Sequence, residues 1–176
     1  MRVLAITDGR YLKATRRVVG DADLLVSPPL AAADITADCL EGYDVIYIDL
    51  HGIPSSAFLY NSLGTAAVSL APVRAAHLAG AVVISPACYL PESPFLEALR
   101  RAGADVIAGT GPNWGTRKRI SGAQVLARYV MDALRRGADA EAALDEAKAR
   151  LGRSPRRLFD RKATRDALEF KLYRSA

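Results

Sequence analysis

The chain has 176 residues, 51% of them hydrophobic and 24% charged, which fits one soluble globular domain whose core needs no disulfide or metal to hold it. No apolar stretch approaches the ~18 residues of a membrane span, and the opening MRVLAITDGR carries an Asp inside its apolar run, unlike a secretory signal. Two cysteines, Cys39 and Cys88, give neither a disulfide framework nor a zinc spacing, so an unprocessed cytoplasmic protein without cofactor or membrane partner is expected.

The net charge of +5 is uneven: residues 150–176 hold nine Lys/Arg against three Asp/Glu, and the rest is close to neutral. A basic tail on a near-neutral domain suits an acidic partner or nucleic acid. Without the interleaved aromatics of a single-strand binder, a solvated helix face is the better account of it, and nucleic acid is not the expected partner.

In chain order, short β-branched runs alternate with Ala/Leu/Arg-rich segments of helical period, the pattern of βαβ units on a parallel sheet. The strands are Arg2–Thr7, Asp23–Val26, Asp44–Asp49, Ala81–Ser85 and Ala104–Ala108. The last three are almost unbroken apolar runs, as in central strands covered on both faces, and they are expected side by side and parallel. Helices are predicted over Ile35–Leu40, Ala71–Ala79, Ser93 to Gly103, Ser121–Arg136, Asp139–Leu151 and Lys162–Tyr173. Ser93 and Asp139 stand as N-caps, Pro94 in the first turn, and Gly103 and Gly137 as stops. Residues 52–70, rich in Gly, Pro, Ser and Asn, read as a loop or small hairpin. The architecture expected is a single three-layer α-β-α sandwich over residues 1–176, with a mostly parallel sheet and a basic helical segment at 152–176.

Ligands of an open parallel sheet sit beyond the carboxyl ends of the strands. There the sequence sets Asp8 after the first strand, His51-Gly52 after the third, Cys88 after the fourth, and Thr110 to Gly115, with Asn113 and Trp114, after the fifth. A His and a Cys leaving neighbouring strand ends suit a nucleophile and its proton partner. Gly52 lets its N–H approach a substrate oxygen and, with that of Cys88, form an oxyanion hole.

The stretch Tyr43–Leu151 resembles the caspase-like superfamily, in particular gingipain-type peptidases and bacterial CHAT domains. The resemblance rests on YDVIYIDLHG (43–52), GAVVISPAC (80–88), FLEALRRAGADVIAGT (95–110) and GADAEAALDEAKARL (137–151), and extends to DALEFKLY (166–173). It implies the caspase–haemoglobinase fold, a His51–Cys88 dyad with Gly52 as oxyanion donor, and peptide-bond hydrolysis of a peptide or protein substrate. It also places the loop Thr110–Gly115 along a substrate channel, with Asn113 and Trp114 as substrate-binding candidates, and allows a partner protein from the same system. Asp8, on the same edge as the dyad, is a candidate to line an S1 pocket selecting Arg or Lys; the alternative is that it only caps the helix starting near Tyr11 and the pocket is apolar, floored by Trp114. Trp114 is either a pocket wall or a core aromatic.

Two other functions are weighed against a peptidase. One is a catalytically inactive or signalling CHAT-like interaction domain. The other is a flavodoxin-like ligand binder, disfavoured because DGRYLKAT after the first strand is no phosphate-cradling Gly-rich loop. Of the remaining candidates, Cys39 is expected in the core, His77 on a solvent-facing helix, and Asp49 at a loop cap.

Overall fold

The structure, a computed structural model, describes residues 1–113, 120, 122–154 and 160–176. Among the described residues the strands are β1 (Val3–Asp8), β2 (Asp23–Ser27), β3 (Val45–Asp49), β4 (Phe58–Tyr60), β5 (Ala66–Ser69), β6 (Val82–Ser85), β7 (Asp105–Ala108) and β8 (Lys171–Tyr173). The α-helices among them are α1 (Leu12–Val19), α2 (Leu70–Ala75), α3 (Pro94–Arg101), α4 (Gly122–Arg135), α5 (Ala140–Arg153) and α6 (Arg161–Leu168).

A six-stranded sheet runs in the order β2-β1-β3-β6-β7-β8, and β4-β5 form a separate hairpin. All pairings from β2 to β7 are parallel; β8 joins β7 antiparallel. The three apolar runs β3, β6 and β7 are thus adjacent and parallel in the sheet, as their composition requires.

Alternation of side chains along each strand divides the core in two. Val3, Ala5, Val45, Tyr47, Ile84 and Ile107 pack under α1, α4, α5 and α6. Leu4, Ile6, Ile46, Ile48, Val83 and Val106 pack under α2, α3 and the hairpin. The result is a three-layer sandwich. Local signals set several helix ends: the Ser93 side chain accepts the Phe95 N–H at 3.3 Å, and Asp139 accepts the Ala142 N–H at 2.9 Å. Among the described residues no helix is long and apolar enough to cross a membrane.

Three predicted helices are corrected. Residues 35–40 are turns behind a short 3-10 segment at Ala32–Asp34. There the Asp34 side chain takes the Ala31 N–H at 2.8 Å and Thr36 Oγ1 meets Cys39 Sγ at 3.3 Å; such local polar bonds compete with a helix ladder. The segment 71–79 is helical only to Ala75, because His77 N–H turns to Glu41 and Leu78 N–H to the Ala102 carbonyl, at 2.7 Å each. His77 itself is exposed, as expected.

The predicted last helix stops at Leu168, and Lys171–Tyr173 becomes the edge strand β8. Phe170 between them is fully buried. Its ring lies where a methyl group on Gly109 would be, 2.6 Å from Cε2, so the end of β7 must be glycine for β8 to dock. Outside the core, Arg174 holds the strand by ion pairs to Asp105 and Glu141, each 2.8 Å. Removing the ring leaves a cavity, and such truncations cost about 3–5 kcal/mol. Phe170→Ala is therefore expected to lower the urea midpoint strongly, whereas Arg174→Ala, which breaks only exposed pairs, should cost about 1 kcal/mol or less. Equal effects would contradict the packing role given to Phe170.

Candidate active site

His51 leaves the carboxyl end of β3 and Cys88 that of β6. These strands pair directly, with Tyr47 opposite Ile84, so both residues emerge at one edge of the sheet. The His51 backbone is pinned to the hairpin: its N–H donates to the Tyr60 carbonyl at 2.8 Å, and Tyr60 N–H returns the bond at 2.9 Å. Its imidazole, 41% exposed, packs at a tilt on Tyr11 with ring centroids 5.6 Å apart. Cys88 is half-buried. Its Sγ accepts the Asn113 N–H at 3.1 Å and lies 3.5 Å from the Asn113 carbonyl oxygen, so the backbone of one residue clamps the sulfur from both sides. His51, Cys88, Asn113, Asp49, Tyr11 and Gln124 line one cavity of about 30 Å³, room for a water molecule.

Gly52 explains why the two strand ends fit together. A methyl group on it would lie 2.0 Å from the Cys88 carbonyl oxygen and 3.5 Å from Cys88 N, a contact no side chain tolerates. Neither the Gly52 nor the Cys88 N–H has an acceptor among the described residues. Both N–H groups belong to the two strand ends that meet at this contact. Tyr89, the next residue, has φ 55° in the left-handed region, which costs a non-glycine residue about 1–2 kcal/mol. Strain of this kind is typical of functional sites.

Two carboxylates lie beneath the pair, on opposite faces of the sheet. Asp8, with Leu4 and Ile6, points toward the hairpin and is fully buried. Its Oδ1 accepts the Arg10 N–H at 2.8 Å, and its Oδ2 accepts the Ser62 N–H at 2.6 Å. That same oxygen is 3.6 Å from His51 Nε2, beyond hydrogen-bond reach. Nε2 is sealed from solvent without a partner, so Asp8 is its electrostatic neighbour. Asp49, with Val45 and Tyr47, points to the α1–α4 face. Its Oδ2 accepts from Gln124 Nε2 at 3.0 Å, Thr15 Oγ1 at 3.2 Å and Tyr47 OH at 3.3 Å. Burial pushes the Asp49 carboxyl up to about 6, although these three bonds oppose the shift; the charge of Asp8 adds to it.

The structure therefore brings together His51, Gly52, Cys88 and Asn113 of the sequence-based candidates. Asp8, expected to line an S1 pocket, is fully buried beside the His51 ring. It is not the cap of α1 either: Tyr11 precedes that helix without a side-chain bond. Asp49 is a buried network centre and not a loop cap, and Cys39 is half-buried against the core. Trp114 lies outside the described residues. Sequence reasoning missed the Gln124–Asp49–Thr15 network and the contact of Tyr11 with His51. Only Thr15, one helical turn into α1, and Gln124, polar on an apolar helix face, carried any signal of it. Among the described residues no three His, Cys, Asp or Glu side chains group to hold a metal.

No family model matches the sequence, and no curated protein matches it. The fold, by contrast, is shared with solved cysteine proteinases. The Arg-specific cysteine proteinase gingipain R (RgpB) superposes with a TM-score of 0.61 at 12% identity, over 99% of this chain and 46% of that one. The complex of Porphyromonas gingivalis RgpB pro- and mature domains gives 0.61 at 11% identity, over 99% and 47%. The chain thus spans slightly under half the length of these neighbours, and its architecture is the caspase–haemoglobinase type. The likeness bears out the gingipain side of the resemblance as a fold and says nothing specific to CHAT domains.

The Asp49 shift has a measurable consequence. Its carboxyl binds a proton more tightly folded than unfolded, so its contribution is full below pH ~4 and is lost as pH rises through about 6. The shift corresponds to about 3 kcal/mol. In urea titrations, the stability advantage of wild type over Asp49→Asn is expected to shrink by up to that amount between pH 4 and pH 8. A constant difference would contradict the raised affinity.

Proposed function

We propose that this chain is a cysteine peptidase in which Cys88 is the nucleophile and His51 its proton partner. The observation that carries the reading is that the two residues, from the ends of adjacent parallel strands, line one cavity. His51 takes the thiol proton, and the thiolate attacks the carbonyl carbon of a peptide bond. The oxygen of the tetrahedral intermediate gains charge and is held by the N–H groups of Gly52 and Cys88. Collapse breaks the C–N bond as the imidazolium gives its proton to the leaving amine, leaving a thioester on Cys88. Water, deprotonated by His51, then attacks the thioester; the acid product departs and the thiol is restored.

The Asn113 N–H, already on Sγ, holds the sulfur in the cavity. With Nε2 sealed against Asp8, proton exchange with substrate falls to Nδ1, and the Asp8 carboxylate sits behind the ring, 3.6 Å from Nε2. Asp8 is accordingly a positioning residue. The fold shared with gingipain R supports the reading without carrying it, since fold alone does not assign chemistry.

A fluorogenic peptide library tests the assignment. Cys88→Ala and His51→Ala are each expected to lower kcat/KM by a factor on the order of 10⁴ or more, because members of a nucleophile–base unit act together. Asp8→Asn should lower kcat by a smaller factor, about tenfold, with KM unchanged, a split that mere loosening of the loop would not give. Hydrolysis that survives Cys88→Ala would end the proposal.

A further inference from the structure

We infer that Gln124 positions the water that hydrolyses the acyl-enzyme, in the cavity it shares with His51 and Cys88; this rests on the peptidase reading for the thioester on Cys88. Gln124 is 1% exposed on α4, a polar side chain between buried Ala123 and Val125. Its two polar atoms are treated differently. Nε2 donates to Asp49 Oδ2 at 3.0 Å, whereas Oε1 is sealed from solvent and accepts no hydrogen bond among the described residues. The bond to Asp49 turns the amide nitrogen toward the carboxylate and the oxygen away from it. A buried acceptor left without a donor is costly, and in native interiors ordered water is the usual remedy.

The cavity suits that water in size and in lining. Its volume is about 30 Å³, above the roughly 10–15 Å³ that one water requires. Gln124, His51 and Cys88 all line it, so a water donating one proton to Oε1 has the base and the acylated sulfur as its other neighbours. His51 takes its second proton as the oxygen bonds to the acyl carbon. The C–S bond then breaks, the acid leaves, and the imidazolium returns the proton to the sulfur. A nucleophile arriving instead through the open groove of about 640 Å³ on the other side of His51 has no need of Gln124. Gln124 is thus a positioning residue for water alone.

Partition of an acyl-enzyme between two nucleophiles tests this without a known substrate. In a Cys39→Ser background, p-nitrophenyl acetate passes its acetyl group to the Cys88 thiolate and releases p-nitrophenolate. Water then gives acetate, and added hydroxylamine gives acetohydroxamate. At fixed hydroxylamine, the ratio of hydroxamate to acetate is expected to rise about tenfold in Gln124→Met, the scale of one lost hydrogen bond. Methionine keeps the length of the side chain and removes the acceptor. Ala123→Val fills the cavity from the same wall with Gln124 in place, and should raise the ratio too; either variant decides the matter if the other does not fold. Thr15→Val removes a different donor from the same Asp49 oxygen and spares Oε1, so its ratio should match the parent's. An unchanged ratio in Gln124→Met or Ala123→Val, or an equal rise in Thr15→Val, overturns the inference; the peptidase reading stands if loss of the acetyl group still depends on His51. An acetyl group that never forms on Cys88, or that His51→Ala loses as fast as the parent, sinks the peptidase reading and this inference with it.

Discussion

The backbone of Gly52 rests against the carbonyl of Cys88, at a distance that leaves no room for even a methyl group. That contact joins the ends of β3 and β6 and fixes the candidate dyad. With glycine there, the chain after β3 passes close over the chain after β6, and His51 and Cys88 come to one cavity. A larger residue would force the two ends apart. The N–H groups of Gly52 and Cys88, left without acceptors among the described residues, lie at the same close approach. The hairpin then holds His51 from the other side through its two-bond bridge to Tyr60.

Sheet alternation distributes the electrostatics. Asp8 and Asp49 come from the ends of adjacent strands yet face opposite layers, so each has its own set of partners. Asp8 meets backbone N–H groups and an imidazole nitrogen; Asp49 meets neutral hydroxyl and amide donors in a dry network. The first environment suits a carboxylate beside a histidine that must carry charge transiently. The second holds a proton more tightly and ties β3 to α1 and α4 beneath the cavity. Had both side chains pointed to one face, mutual repulsion would have raised the cost of ionising either.

Much of this could be read from residue order. The three apolar runs gave β3, β6 and β7 and their parallel order, and the polar residues after them marked the site, since strand ends are where a parallel sheet exposes chemistry. The features that escaped depend on contacts distant in sequence. Gln124 lies 75 residues from its partner Asp49, and Phe170 is held by a glycine at the end of β7; neither pairing leaves a local trace. Lys171–Tyr173 continues a helical pattern and becomes strand only because the edge of β7 is open. For Asp8, sequence position indicated the correct edge of the sheet. Its burial beside His51 depends on the Ser62 N–H, supplied by a segment read only as a loop or small hairpin, and so had no local trace.

The central claim is that His51 activates Cys88, and alkylation of the thiol tests it without any substrate. Cys39 must first be removed, because the hydrogen bond from Thr36 pulls its thiol below the ordinary range and makes it a competing nucleophile. In a Cys39→Ser background at pH 7, iodoacetamide should modify Cys88 at least about a hundredfold faster with His51 present than in the His51→Ala variant, the lower end of what a positioned base contributes. Equal rates in the two proteins would contradict the dyad.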